Sequence, residues 1–221
     1  MTKKRVVFVT GTDTDIGKTY ICGEIARMLC KSGIKTGYYK AALSGAEFIN
    51  GELCPRDAEY VKKSSEDPNF NYKVSYVFEE AVSPHLASER SDIEIKMDKI
   101  KNDFNEVHSE NEFTIVEGSG GIICPISLSG EIIFLEDIID AIGTDMILVA
   151  QSGLGSINSV VLSYEYSKRM KTDIKAVIMN RFENGNIIHE DNKKIIEKIT
   201  GLPVYKCINE ELDEGIMEIL K

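Results

Sequence analysis

Short apolar runs alternate along the chain with longer segments whose apolar residues recur at helical spacing. The continuous runs are predicted to be strands buried on both faces, because glycine or polar residues bound each of them. They are Val6–Thr10, Thr36–Tyr39, Phe113–Glu117, Met146–Ala150, Lys175–Met179 and Val204–Cys207. The helical periodicity predicts helices over Gly17–Ser32, Asp57–Lys63, Asp92–His108, Ser156–Met170, His189–Thr200 and Glu211–Leu220. A small antiparallel hairpin is expected over Ile126–Phe134, with its turn at Ser129-Gly130.

Strands that alternate with helices predict an α/β fold in which helices cover both faces of a mostly parallel sheet. No linker rich in proline, glycine or serine interrupts this alternation, so residues 1–221 are expected to form a single domain. In such sheets, ligands bind beyond the carboxyl ends of the strands. The polar and glycine-rich segments fall at those ends, at Gly11–Thr19, Lys40–Gly45, Glu117–Gly121, Gln151–Asn158 and Asn180–Gly185.

The charge and the cysteine content narrow the range of partners. The chain has 36 acidic and 26 basic residues, which gives a formal net charge of −10. So acidic a chain is poorly suited to bind nucleic acid or an anionic membrane surface. Its five cysteines form no C-x-x-C pair, and its first residues lack the apolar core and cleavage site of a signal peptide. These features predict a cytoplasmic protein that binds neither nucleic acid nor membrane.

A loop between the first strand and the first helix carries the most specific chemical pattern. The segment Thr10–Thr19 reads TGTDTDIGKT and follows the phosphate-loop pattern G-x-x-x-x-G-K-[ST], except that Thr12 occupies the first glycine position. In this pattern, backbone N–H groups and the helix N-terminus bind phosphate oxygens. Lys18 would then reach the β- and γ-phosphates, and the Thr19 hydroxyl would bind Mg²⁺. Together with the alternating strands and helices, this loop predicts a single-domain P-loop NTPase-like fold.

Three other charged residues are candidates for the same site. Mg²⁺ is usually held by one or two carboxylates together with phosphates, and Glu117 ends a strand directly before the glycine-rich segment Gly118–Gly121. The alternative for Glu117 is a solvated glutamate at a strand end. Asp57 opens a predicted helix, where capping is the more usual role. Lys40 could neutralise charge on a transferred phosphoryl group, although a surface lysine is the simpler interpretation of the residue alone.

Taken in order, these segments resemble the motifs of the dethiobiotin synthetases. Gly11–Thr19 looks like the family's G-T-D-T-x-[VI]-G-K-T loop, and Glu117–Gly121 is close to its E-G-A-G-G. The first motif and the ordered set are specific, whereas each later motif alone is weak. The other similarities are Lys40–Gly45 to K-P-x-x-S-G, Asp57-Ala58 at the family's spacing, Ser83–His85 to S-P-H, Leu154–Asn158 to L-G-x-I-N, and Asn180 after a strand.

The resemblance implies an enzyme of biotin synthesis that closes a ring with CO₂, ATP and Mg²⁺. Its substrate would be 7,8-diaminopelargonic acid, one amine of which takes up CO₂ as a carbamate. The carbamate oxygen would attack the γ-phosphate, and the second amine would then expel phosphate from the mixed anhydride to close the ureido ring. Phosphoryl transfer needs mainly positioning and electrostatic stabilisation, so this chemistry requires no protein nucleophile.

The same resemblance gives roles to individual residues. Lys18 and Lys40 would be catalytic, because they would stabilise the carbamate and the transferred phosphoryl group. The implied ligands of Mg²⁺ are Thr19, Asp57 and Glu117. The implied contacts to the diamine or carbamate are Thr14 and Ser44. The implied nucleotide-binding residues are Asp15, Ile16, Gly17, Lys18, Thr19, Tyr20, Asp57, Glu117, Gly118, Ser119, Gly120, Asn180 and Arg181.

The family's substrate also bridges two subunits, so the resemblance implies a homodimer with shared sites. The substrate carboxylate would lie at a helix N-terminus of the partner subunit, at positions that map to Gly155, Ser156 and Asn158. A helix start presents free N–H groups and the positive end of the helix dipole, which suits a carboxylate.

The sequence departs from the family pattern at three places. Ala41 replaces a proline after Lys40, and Arg181 replaces an acidic residue that often follows Asn180. An Ile-Pro element that contributes to the base pocket should follow the last strand, but residues 207–211 read CINEE. A pocket that lacks one wall gives a wrong base a smaller penalty. The sequence therefore predicts weaker discrimination between ATP and other nucleoside triphosphates than the family pattern implies.

Other functions on the same fold stay open from the sequence. A chromosome-partitioning or metal-chaperone ATPase would carry a second lysine early in the phosphate loop, which Gly11–Ile16 lacks. A related amidoligase or a small-molecule kinase would differ in its product. A nucleotide-dependent binding module would not account for Lys40, Ser44 and Gly155–Asn158 at one edge of the predicted sheet.

Overall fold

A computed structural model describes residues 4–220 of the chain. Its strands are β1 (Arg5–Gly11), β2 (Thr36–Ser44), β3 (Glu47–Ile49), β4 (Glu52–Cys54), β5 (Asn71–Phe78), β6 (Phe113–Glu117), β7 (Pro125–Ser127), β8 (Ile133–Phe134), β9 (Met146–Gln151), β10 (Ile174–Asn180), β11 (Val204–Ile208) and β12 (Glu211–Leu212). Its helices are α1 (Lys18–Lys31), α2 (Arg56–Ser65), α3 (Pro84–Ser91), α4 (Met97–Glu110), α5 (Leu135–Ile142), α6 (Ser156–Ser167), α7 (Ile187–Thr200) and α8 (Met217–Leu220).

Eight of the strands form one sheet in the order β12-β11-β10-β9-β1-β6-β2-β5. Every neighbouring pair in it is parallel except β11 and β12. The pairs β3–β4 and β7–β8 form two small antiparallel hairpins, and the second is the hairpin predicted over Ile126–Phe134. The predicted α/β class with a mostly parallel sheet is therefore confirmed. Within residues 4–220, no helix has both the length and the apolarity that crossing a membrane requires.

The sheet separates two apolar layers, and alternation along β1 shows how it does so. Val7 and Val9 pack with Ile25 of α1 and with α2 and α8 on one side. Phe8 points to the other side and packs in the layer that includes Phe104 of α4 and residues of α5 and α7. Because both faces are buried, the central strands are continuously apolar, which is why the sequence reveals them.

Two helix predictions are wrong in part. Asp92–His108 is not one helix, because Asp92 lies in the left-handed region at φ 56° and α4 begins only at Met97. Glu211–Leu220 contains the strand β12, a 3₁₀ turn and only the short α8. Asn209 and Glu210, with φ of 45° and 70°, form the turn that folds β12 back onto β11.

The second strand is longer than the sequence predicts, and this places Lys40 differently. β2 continues to Ser44, so Lys40 lies inside the strand rather than after it. Because Lys40 interrupts the apolar run, the sequence pattern does not show that the strand continues beyond it. The neighbouring edge strand β5 was also not predicted, because polar residues such as Asn71, Lys73 and Ser75 alternate along it.

Candidate active site

The phosphate loop, β2, α2 and the segment after β6 enclose an open cleft at the carboxyl ends of the central strands. Its volume is about 970 Å³. The cleft brings together residues that are far apart in the sequence, as expected for this sheet topology. The sequence-predicted residues that line it are Thr14, Asp15, Gly17, Lys18, Thr19, Tyr20, Lys40, Ser44, Asp57, Glu117, Gly118, Ser119, Gly120 and Arg181.

The phosphate loop leads directly into the N-terminus of α1. Gly17, the residue before this helix, has φ 93°, and a Cβ there would collide with the Asn180 side chain. Only glycine meets both conditions without strain. No side chain caps the first N–H groups of α1, so they are available to an anion.

Lys18 begins α1 and turns its side chain back over the loop. Its Nζ donates to the Asp13 carbonyl oxygen at 2.8 Å. Burial lowers the pKa of Lys18, and the nearby Glu117 carboxylate opposes that change. The ammonium group is thus held at the loop by a backbone carbonyl, which a phosphate oxygen can replace.

Lys40 is the centre of a cluster of charged side chains beside the loop. It pairs with Glu117 in the parallel register of β2 and β6, and its Nζ lies 2.6 Å from Glu117 Oε1 and 2.5 Å from Asp57 Oδ2. The Thr19 hydroxyl donates to the same Glu117 Oε1 at 2.8 Å. The three residues expected to bind metal and the second lysine therefore belong to one hydrogen-bonded cluster.

The simpler interpretations of these charged residues are wrong. Glu117 is 2% exposed and Lys40 is 6% exposed, so neither is a surface residue. Asp57 does not cap α2, because Pro55 is the N-cap and the Asp57 carboxylate bonds Lys40. Burial alone would lower the pKa of Lys40, but the Glu117 and Asp57 carboxylates outweigh burial and raise it. Lys40 therefore stays cationic in a largely dehydrated position.

Sequence reasoning missed one face of α2 and one residue beneath the cleft. Arg56, Glu59, Tyr60 and Lys63 all line the cleft, and their spacing of i, i+3, i+4 and i+7 would have placed them together on one face of the helix. The residue beneath the cleft is Tyr38, whose hydroxyl donates to Glu117 Oε2 at 2.8 Å. No motif includes Tyr38, because this contact depends on strand pairing.

Asn180 and Arg181 line a second, smaller pocket of about 390 Å³ beside Gly17 and Tyr20, together with residues 207, 209 and 210. Both polar atoms of the Asn180 side-chain amide form hydrogen bonds. Its Nδ2 donates to the Ile16 carbonyl oxygen at 2.8 Å, and its Oδ1 accepts from the Arg181 N–H at 2.9 Å. Ile16 itself is buried and lines neither pocket. Asn180 thus supports the phosphate loop as well as facing the second pocket.

Gly155, Ser156 and Asn158 lie at the start of α6 and line neither pocket. Gly155 has φ 88°, and no side chain caps the helix. Ser156 is buried, and its Oγ donates to the Gly153 carbonyl oxygen at 2.5 Å and accepts from Asn192 at 3.0 Å. Asn158 is exposed. This group does not join the cleft of its own chain.

Comparison with known proteins assigns the chain to a family. A family model described as an AAA domain matches residues 5–214. The ATP-dependent dethiobiotin synthetase BioD of Clostridium botulinum (strain Eklund 17B / Type B) is 49% identical over 216 residues, which cover 96% of this chain and 95% of that protein. The chain belongs to the ATP-dependent dethiobiotin synthetase family. The ATP-dependent dethiobiotin synthetase BioD of Clostridium perfringens (strain 13 / Type A) is 47% identical over 197 residues, which cover 89% of this chain and 86% of that protein.

Solved structures of other proteins share the fold of this synthetase family member. The ParA family ATPase from Chlorobium tepidum TLS matches with a TM-score of 0.57 at 17% identity, over 99% of this chain and 88% of that one. FtsY from the chloroplast of Physcomitrella patens matches with a TM-score of 0.55 at 13% identity, over 96% of this chain. The chain spans 62% of the length of that FtsY chain. These similarities concern the fold alone and confirm the P-loop NTPase-like architecture.

Proposed function

We propose that this synthetase converts 7,8-diaminopelargonic acid, CO₂ and ATP to dethiobiotin, ADP and phosphate. The observation that carries the proposal is the cluster of Lys40, Asp57, Glu117 and Thr19 directly beside the phosphate loop. A cation and metal-type ligands at this position suit a reaction in which negative charge moves on the γ-phosphoryl group. In this proposal residues 1–221 act as one domain in the cytoplasm.

The donor set at the cleft suits Mg²⁺. Carboxylate and hydroxyl oxygens are the ligands that Mg²⁺ accepts in combination with phosphates, and Thr19, Asp57 and Glu117 supply them. The Lys40 ammonium contacts both carboxylates and offsets part of their negative charge, so a divalent cation would meet a site that still has negative charge to neutralise. When bound, the ion would neutralise charge on the β- and γ-phosphates.

Two lysines would carry the electrostatic part of the reaction. Lys18 would exchange the Asp13 carbonyl for oxygens of the β- and γ-phosphates. Lys40, held cationic by its carboxylate neighbours, would stabilise the carbamate and the phosphoryl group as it moves. The residues proposed to contact the diamine or carbamate, Thr14 and Ser44, line the same cleft.

The chemical steps need no group from the protein other than these. One substrate amine adds to CO₂ and loses a proton, which gives the carbamate. A carbamate oxygen then attacks the γ-phosphorus and releases ADP. The second amine attacks the carbonyl carbon of the mixed anhydride, and as the ureido ring closes phosphate leaves and this amine loses a proton. Holding the reacting groups in this arrangement supplies much of the rate enhancement in such reactions.

The substrate carboxylate would bind at the start of α6 in a partner subunit of a homodimer. Two features support this part of the proposal: Gly155, Ser156 and Asn158 line neither pocket of their own chain, and the N-terminus of α6 has no side-chain cap. A two-fold axis would then create two equal sites, each with residues of both chains.

The activity is tested by incubating the protein with the diamine, bicarbonate and MgATP and analysing the products by mass spectrometry. We expect a ring-closed product together with equal amounts of ADP and phosphate. A stable phosphorylated diamine would instead indicate a small-molecule kinase. ATP hydrolysis that leaves the diamine unchanged would indicate a nucleotide-dependent binding module or an ATPase of another type.

The shared site is tested by mixing two inactive variants. Lys18→Ala removes the phosphate-loop lysine, and Asn158→Trp blocks the start of α6. Asn158 is preferred over Ser156 for the bulky side chain, because Ser156 is buried against Asn192. Mixed dimers would contain one intact site in two, so activity should return on mixing. Proven heterodimers that stay inactive would mean that both elements act within one chain.

A further inference from the structure

Strand β2 carries two adjacent tyrosines that are fully buried and face opposite sides of the sheet. Tyr38 and Tyr39 are both 0% exposed, and successive side chains of a strand alternate in direction. The Tyr39 hydroxyl lies 2.7 Å from Ser75 Oγ and donates to the Ile100 carbonyl oxygen at 3.0 Å. Tyr38 lies on the same face of the sheet as Lys40, which is two residues further along β2. The Tyr38 hydroxyl donates to Glu117. The two tyrosines therefore have equal burial but different partners.

The two oxygens of Glu117 have different surroundings. Oε1 accepts from Thr19 and Lys40, both of which line the cleft. Oε2 accepts from Tyr38 at 2.8 Å, on the buried side. Cys22 is also fully buried, in the same apolar layer as Tyr38. The two donors to Oε1 thus line the cleft, whereas the donor to Oε2 is buried and does not.

We propose that Tyr38 is a positioning residue that holds Glu117 with Oε1 toward the cleft and thereby sets the affinity of the site for a divalent metal ion. A carboxylate turns readily about its last side-chain bond, so both oxygens would otherwise compete for Lys40 and Thr19. The Tyr38 hydroxyl fixes one of them. Outer hydrogen-bond partners of this kind typically change metal affinity or activity about 10- to 100-fold.

This inference rests on the proposed role of Glu117 as a metal ligand, and a purely structural role for Tyr38 makes a different prediction. If Tyr38 only fills the core, removing its hydroxyl should lower stability and leave metal binding unchanged. If it positions Glu117, metal binding should weaken even where the variant is fully folded. Tyr39 provides the matched control, since it is a neighbouring tyrosine with the same burial and its hydroxyl bonds no cleft residue.

The test compares Tyr38→Phe and Tyr39→Phe, each of which removes one buried hydroxyl and keeps the ring. Mn²⁺ is titrated as a paramagnetic probe into the full chain with ADP, and free Mn²⁺ is measured by electron paramagnetic resonance below the thermal transition. We expect Tyr38→Phe to weaken Mn²⁺ binding at least about tenfold, and Tyr39→Phe to bind as the parent does. Tyr38→Met, which also lacks the hydroxyl, should show the same loss.

Glu117→Gln separates the failure of this inference from the failure of the proposed function. If Glu117→Gln loses Mn²⁺ binding and Tyr38→Phe does not, Tyr38 is a core residue only and the inference is overturned, while the metal assignment stands. If Glu117→Gln binds Mn²⁺ as the parent does, Glu117 is not a ligand. Both the metal assignment in the proposed function and the inference about Tyr38 are then overturned. Equal losses in Tyr38→Phe and Tyr39→Phe would also overturn the inference, because they would reflect general loosening of β2.

Discussion

Two regions that we propose bind the phosphates and the base of the nucleotide are built from different kinds of structure: the cleft beside the phosphate loop (the phosphate end) and the second pocket lined by Asn180 and Arg181 (the base end). At the phosphate end, side chains bond to one another: Lys40 contacts Asp57 and Glu117, and two of the three are almost completely buried. At the base end, short backbone turns form the wall. Arg181 and Glu210 are exposed and hold left-handed backbone conformations, with φ of 55° and 70°. The first end depends on residue identity and the second on the path of the chain.

This difference predicts how each end responds to substitution. A buried charge that loses its partner is left without compensation, which is costly. A turn residue that faces solvent can change its side chain with little effect if its backbone conformation is retained. We therefore expect the largest losses of activity at the phosphate end and small changes, confined to nucleotide affinity and selectivity, at the base end.

Lys18→Ala should have the largest effect. Removing one preorganised group that stabilises charge costs roughly 2–4 kcal/mol of transition-state stabilisation, which is about 30- to 1000-fold in kcat/KM. Steady-state kinetics of dethiobiotin formation measure it. Lys175→Ala is the control, because Lys175 lies at the opposite end of the sheet and pairs with Asp173 and Asp145. Turnover near the parental rate would reject the phosphate-loop role of Lys18.

Asp57→Asn should have the next largest effect. It keeps the shape of the side chain but weakens its contact with Lys40, and hydrogen bonds to charged groups contribute about 1.5–3 kcal/mol. We expect a loss of about 10- to 150-fold in kcat/KM and a requirement for more Mg²⁺. Glu66→Gln, at the other end of α2, controls for the lost negative charge. An unchanged Mg²⁺ dependence would exclude Asp57 from the metal set.

The residues of the phosphate end are also those that the sequence predicts best. The loop Gly11–Thr19 is a local backbone pattern, and Glu117 follows a continuously apolar strand, so both are visible without tertiary contacts. The contact between Tyr38 and Glu117 joins residues 79 positions apart and depends on the register of β2 with β6. Composition and periodicity do not contain that register, and the positioning residue was therefore missed.

At the base end and the edges, the sequence misleads for a related reason. Glu211–Leu220 has helical periodicity, but the turn at Asn209 and Glu210 returns the chain to β11 first. Edge strand β5 carries alternating polar residues, so it lacks the apolar run that identifies the central strands. Asn180 was recognised from the family motif, yet its bond to the Ile16 carbonyl oxygen is visible only in three dimensions.

Base selectivity should be weak, in contrast to the strict demands of the phosphate end. The Asn180 side chain already donates to the Ile16 carbonyl oxygen and accepts from the Arg181 N–H. The residues beyond β11 include no Ile-Pro element. We expect kcat/KM for ATP to exceed that for GTP or CTP by only about tenfold, the lower end of what one pocket contact gives. Competition assays with the three nucleotides measure this ratio. Strict ATP selectivity would mean that the base end is as residue-specific as the phosphate end.

Tyr20→Phe should have the smallest effect and sharpens the comparison most directly. Tyr20 lies on α1 just after the phosphate loop, but its hydroxyl donates to the carbonyl oxygen of Glu210 in the base-end turn. Burial, and after it Glu24, raises the pKa of Tyr20, so the hydroxyl remains a donor at ordinary pH. Phenylalanine keeps the ring against Tyr60 and removes one hydrogen bond, which costs about 0.5–1.5 kcal/mol.

The expected result is a rise of about two- to tenfold in KM for ATP with kcat unchanged, because the turn loosens while Lys18, Lys40 and Glu117 keep their contacts. Tyr166→Phe is the matched control: its hydroxyl donates to Glu136 on the other side of the sheet, away from both pockets. A fall in kcat for Tyr20→Phe alone would show that the turn at Glu210 also orders the phosphate loop. The two ends of the cleft would then act as one unit rather than as separate structures.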